Sequence, residues 1–225
     1  YSLKQYEDAL MPTFNKLADQ DVAVAWCDST MPNPGIEDNI GRARIKRRNE
    51  IARALAVKKG FKKDNLGAFM ASQYKDQVNF TAGVAAVQAA HVAETVKKMI
   101  ETKPQDAGDT LASRKPKGAI GPAMREGIEW SMIRHMNANQ VTLPRVLLVG
   151  DSIVGGYSYQ VSKRLEGVAS VSWYMTSHCM GDPEFDREID LVLAQRDYDV
   201  IYFNNGLHGS CLLYTSPSPR DGLLS

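Results

Sequence analysis

An α/β fold built on a parallel sheet is what this chain of 225 residues predicts, on three observations. Four short runs have the character of strands buried on both faces: V-A-V-A-W at 22–26, V-L-L-V at 146–149, V-S-W-Y at 171–174 and V-I-Y-F at 200–203. Segments of helical periodicity separate them; in the first, Leu3, Tyr6, Leu10, Phe14 and Leu17 recur at intervals of three and four. At the end of the second run, Gly150, Asp151 and Ser152 make a tight junction from which a helix can start at Ile153. A polar group at the carboxyl end of a buried strand stands where open α/β sheets place their ligands.

In chain order, residues 1–18 predict an amphipathic helix and residues 22–26 a buried strand. Residues 29–41, with Pro32, Pro34 and two glycines, predict a loop. A basic helix follows over 42–59, with Ile45, Ile51, Ala52 and Leu55 on its inner face and Gly60 as its C-cap. Its cluster of Arg42, Arg44, Lys46, Arg47 and Arg48 reads as a solvated face, with phosphate contact as the alternative. Residues 65–70 form a short connecting element, and a helix runs from about 83 to 100. Residues 102–122 hold three prolines among glycines and mixed charges, the composition of a flexible linker. Residues 124–136, with Ile128, Trp130, Met132 and Ile133, predict a short amphipathic helix before the second strand. The last stretch, 210–225, has two Ser-Pro steps and no periodic apolar face, so no core element is expected there.

Composition narrows the function classes. A net charge of +1 gives no electrostatic reason to expect nucleic acid or an anionic membrane as partner. No run approaches the ~18 apolar residues of a membrane span, and no signal peptide is visible. Cys27, Cys179 and Cys211 have neither metal-ligand spacing nor a disulfide framework, so no metal or cofactor is expected and the compartment is open. The turn G-D-S-I-V-G-G lacks both the dinucleotide and the Walker spacing, which weakens phosphate or flavin binding as a reading.

The Gly-Asp-Ser turn has two readings: a helix cap made by Asp151 or Ser152, or a nucleophilic serine held on rigid backbone near amides able to stabilise an oxyanion. Three blocks favour the second. G-D-S-I-V-G-G-Y, T-S-H-C-M-G-D-P and D-V-I-Y-F-N-N-G-L-H-G, in that order over residues 144–209, resemble the SGNH (GDSL-type) hydrolases, serine esterases on a three-layer α/β/α flavodoxin-like fold. A fourth block, D-Q-V-N-F-T at 76–81, resembles the family's closing Asp-x-x-His block, with asparagine at the histidine position.

The resemblance implies an inverted order. Residues 1–101 resemble the C-terminal half of such a domain and 123–209 the N-terminal half, joined by the linker 102–122; the tail 210–225 resembles translated adapter sequence. The chain thus reads as a tandem-domain fragment whose halves complement each other as a circular permutant, with residues 22–26 beside 200–203 in one sheet. The resemblance makes Ser152 the nucleophile and its amide one oxyanion donor, with Gly181 as a second and Asn204 or Asn205 as the third. His208 is structural or touches substrate, and Asp151 braces the turn. Asp76 orients the base, but the base position is Asn79, which cannot cycle a proton. The implied function is a serine esterase on a small-molecule or carbohydrate ester, such as an O-acetyl group, impaired in this chain. The alternative is a catalytically inactive binding module of the same fold, holding a carbohydrate or a partner.

Overall fold

A computed structural model describes residues 3–28, 39–73, 82–102, 130–178, 180 and 182–204. The elements in chain order are α1 (Leu3–Ala18), β1 (Ala23–Cys27), α2 (Asn39–Lys58), β2 (Lys62–Asp64), α3 (Leu66–Gln73), α4 (Ala82–Thr102), β3 (Ser131–His135), β4 (Arg145–Gly150), α5 (Ser152–Arg164), β5 (Ser170–Thr176), α6 (Pro183–Gln195) and β6 (Val200–Asn204). The six strands form one sheet in the order β2-β1-β6-β4-β5-β3, parallel except for β3, which runs antiparallel to β5. Among the described residues no helix is long and apolar enough to cross a membrane.

The apolar runs become strands because both faces of the sheet are covered. All six residues of β4 and all five of β6 are buried, so a side chain pointing either way must be apolar or hydrogen-bonded. On one face Leu10 and Phe14 of α1, Ala52 and Leu55 of α2 and Ile189 of α6 meet Val24, Trp26, Leu147, Ile201 and Phe203. On the other, Leu66 of α3, Val92 and Val96 of α4, and Val154 and Val161 of α5 meet Ala25, Leu148, Trp173 and Tyr202. The result is the expected three-layer α/β/α arrangement.

β6 is the centre of the sheet and joins the two long segments of the chain. It pairs with β1 in the register Ala25↔Tyr202 and with β4 in the register Leu148↔Tyr202. The expected neighbours, residues 22–26 and 200–203, therefore lie side by side in parallel. Gly60 closes α2 at φ +76°, its N–H bonded to the Val57 carbonyl and that of Phe61 to Ala56, which accounts for a glycine there.

The structure departs from the sequence reading in five places. Residues 131–135, expected in a helix, form β3; residues 124–129 of that expected helix lie outside the described residues. The free edge of β5 supplies the partner, and alternation then sends Ile133 and His135 to the α6 side while Met132 and Arg134 point the other way. β2 was not expected at all, since K-K-D offers no apolar run and its lysines are exposed. α2 starts at Asn39, inside the expected loop, and the connecting element is the full helix α3. Thr102, expected to open the linker, is the last residue of α4; the rest of the linker and the tail lie outside the described residues.

Gly150 is where the end of β4 is squeezed hardest. A Cβ there would sit 2.2 Å from Cγ2 of Val154 and 2.6 Å from the backbone oxygen of Asn204. The backbone contact cannot be relieved by a rotamer change. Gly150→Ala is expected to cost about 1–3 kcal/mol in urea unfolding, the usual range for overpacking. Gly83→Ala, where a Cβ meets nothing within 4 Å, is the control and should be neutral or stabilising.

Candidate active site at the carboxyl edge of the sheet

The parallel strands β2, β1, β6 and β4 end along one edge, and polar residues gather where their apolar runs stop. β4 leads into Asp151, which is 2% exposed and accepts the Ile153 N–H on Oδ1 at 2.8 Å. Its backbone oxygen accepts the Gly155 N–H at 3.1 Å. Asp151 is thus the N-cap of α5, and it fixes the turn that presents the next residue. Ser152 is the first residue of α5 and is exposed. The unbonded N–H groups of a helix's first turn, and the positive end of its dipole, favour negative charge at such a position.

Asn204 ends β6 beside Gly150 and is fully buried; its Nδ2 donates to Sγ of Cys27, its register partner on β1, at 3.4 Å. The buried side of the edge continues as a network. The Tyr202 hydroxyl donates to Oδ2 of Asp64 at 3.0 Å, and Nε2 of His91 lies 2.5 Å from Oδ1 of the same carboxylate. Phe69 stacks on the His91 ring with centroids 4.3 Å apart. At the end of β1, Asp28 pairs with Arg53; burial raises the Asp28 pKa, and the guanidinium works against that rise.

Burial decides which of these groups can act as a nucleophile. It pushes the Cys27 thiol well above its ordinary pKa, and does the same to the hydroxyls of Tyr157 and Tyr202. A buried thiol held neutral is a poor attacking group. Ser152, by contrast, is exposed at the helix start. Among the described residues no cluster of three or more His, Cys, Asp or Glu could hold a metal ion.

Beyond β5 the loop is pinned by two carboxylate bonds. Asp182 caps α6 by accepting the Glu184 N–H on Oδ1 at 2.9 Å, and its Oδ2 lies 2.8 Å from Nδ1 of His178. Thr176 Oγ1 accepts the His178 N–H at 3.1 Å.

Of the residues singled out in the sequence, the structure brings Asp151, Ser152 and Asn204 to the adjacent ends of β4 and β6. Asp76, Asn79, Gly181, Asn205 and His208 lie outside the described residues. The sequence reading missed the pair His178–Asp182, although its spacing of four was present in the second block. It also missed the network Asp64–His91–Tyr202, whose members lie 27 and 138 residues apart and leave no local signal.

No protein-family profile matches the chain, and no curated protein matches it. Among solved structures, the chain is similar to the O-acetyltransferase domain of Pseudomonas putida AlgJ. That comparison has 12% identity and a TM-score of 0.48, and it covers 97% of this chain and 88% of the other.

The cap on α5 can be tested by itself. Asp151→Ala should lower stability by about 1 kcal/mol, the usual loss for an N-cap carboxylate. Asp151→Asn keeps an accepting oxygen and should retain most of that stability in chemical denaturation.

Proposed function

We propose that this chain is a serine acylhydrolase of the SGNH type, acting on a small-molecule or carbohydrate ester and slowed by the amide at position 79. The observation that carries this reading is Ser152: an exposed hydroxyl at the start of α5, directly beyond a central strand whose six residues are all buried. The three sequence blocks that resemble the family support it independently. In this reading residues 1–101 and 123–209 are permuted halves of one domain.

Ser152 Oγ attacks the ester carbonyl carbon as the carbonyl oxygen takes up negative charge. The Ser152 amide, with Gly181 and one of Asn204 and Asn205, stabilises that oxyanion; for Asn204 this requires its buried amide to turn from Cys27 toward the ester. The ester C–O bond then breaks, the alcohol leaves with a proton, and water releases the acid from the acyl-enzyme. The weak step is removal of the serine proton, because Asn79 stands where Asp76 would otherwise orient an imidazole. That same asparagine favours the second reading, a binding module that keeps the fold and has lost turnover.

A fluorophosphonate probe should label Ser152, with mass spectrometry placing the adduct, and Ser152→Ala should abolish labelling. Labelling that survives this substitution unchanged removes the proposal.

Asn79→His should then raise turnover of an aryl acetate by at least about tenfold, or ~1.4 kcal/mol of barrier. A folded variant with no gain would mean that position 79 does not serve Ser152, and would favour the binding module.

A further inference from the structure

At the amino edge of the sheet, on the face that α6 covers, polar side chains replace the apolar core. Arg145, Ser172 and His135 lie on that face because Leu147, Tyr174 and Ile133, each two residues away along its strand, pack there. The connection from α6 to β6 adds Arg196 and Tyr198. Arg196 Nη1 is 3.5 Å from Ser172 Oγ, and Tyr198 is buried on the same face.

The two guanidiniums have no counter-charge. Arg145 is 6% exposed, and its Nε is closed to solvent without a hydrogen-bond partner. Arg196 is half-buried; burial lowers its pKa, and the charge of Arg145 lowers it further. Among the described residues neither arginine forms an ion pair. Asp199 stands beside Arg145, but its Oδ2 accepts the main-chain N–H of Arg145 at 2.9 Å and makes no pair with the guanidinium. A buried cation left in this state is costly.

The neutral groups around them supply little to accept with. Gln195 Oε1 lies 2.9 Å from His135 Nε2 and can only accept, so that nitrogen carries the proton. Nδ1, 2.8 Å from Ser172 Oγ, then takes the serine hydrogen. Burial lowers the His135 pKa against the Gln195 bond, and Arg196 lowers it further, so the ring is neutral. The Tyr198 hydroxyl faces Ser172 and both guanidiniums, with no hydrogen bond of ordinary geometry. Burial pushes its pKa up to about 12, so it keeps a proton to donate.

We infer that Arg145, Arg196 and Tyr198 bind a small inorganic dianion of the phosphate or sulfate kind. Two positive charges match two negative ones, and the forked N–H groups of a guanidinium match paired oxygens. The burial of Arg145 sets the size, because an organic substituent needs room that this side chain's surroundings do not offer. About 17 Å of β4 separates Arg145 from Gly150, at 3.3 Å per residue. The site is therefore remote from Ser152 and does not rest on the serine reading.

The test follows thermal unfolding of the full chain in sodium phosphate against sodium chloride at equal pH and ionic strength. Phosphate should raise the melting temperature saturably, by about 3–6 °C at roughly ten times its dissociation constant. General salting effects act on every variant alike, and Lys62→Gln, at an exposed position of β2, should respond as the parent does. Arg145→Met should lose the response. In chloride it should melt no lower than the parent, since it removes an unpaired buried charge. Arg196→Gln should weaken phosphate binding at least about fivefold, and it carries the test if Arg145→Met does not fold. No saturable response in the parent, or an equal response in the arginine variants, overturns the assignment. So does a folded Arg145→Met that melts several degrees lower in chloride, which would mean that the chain itself satisfies the guanidinium.

Discussion

The structure depends on the pairing of β6 with strands from two distant parts of the chain. Its neighbours are β1, from the first hundred residues, and β4, from beyond residue 140. Every residue of β6 is buried, so its backbone groups have no water to fall back on and must find both ladders. Removing either neighbour would leave a central edge unpaired and an apolar face open. The helices follow from this pairing. α1 and α2 share one face with α6, while α3 and α4 share the other with α5, so each layer is assembled from both segments.

The same pairing makes the carboxyl edge. Gly150 and Asn204 approach so closely that a methyl group does not fit between them, and this aligns the turn carrying Ser152 with the end of β6. Behind that turn, buried Asp64 bonds Tyr202 and the half-buried His91, and buried Asn204 bonds Cys27. Such a network is rigid when satisfied and costly when broken. Burial raises the pKa of its Cys27 thiol and Tyr202 hydroxyl, while the serine in front of it is exposed.

Legibility of the fold followed burial. The strands β1, β4 and β6 were readable because both of their faces are covered, which forces a run of apolar residues that helices seldom show at that length. The edges were not readable. β2 is three residues with two exposed lysines, a composition that discourages pairing with another chain and also hides the strand. In β3, Met132 and Ile133 fit a helical stripe as well as an alternating pattern, and the empty edge of β5 decided between them. At the site, Ser152 and Asp151 were legible because strand end, cap and helix start are consecutive. Asp64 and His91 were not, because no pattern links an edge-strand aspartate to a histidine in the middle of a helix 27 residues later.

The register Cys27↔Asn204 joins residues 177 positions apart, and the central strand is the last described element of the chain. During synthesis β1 and β2 therefore leave the ribosome long before the strand that completes their sheet exists. A helix pair such as α1 and α2 can form early, but the apolar face it must cover waits for β6. Contacts of such separation carry a large loop-closure cost and slow the final collapse. Until β6 is made, the segment that carries β1 and β2 keeps an unpaired strand edge, and transiently exposed surface of this kind favours aggregation.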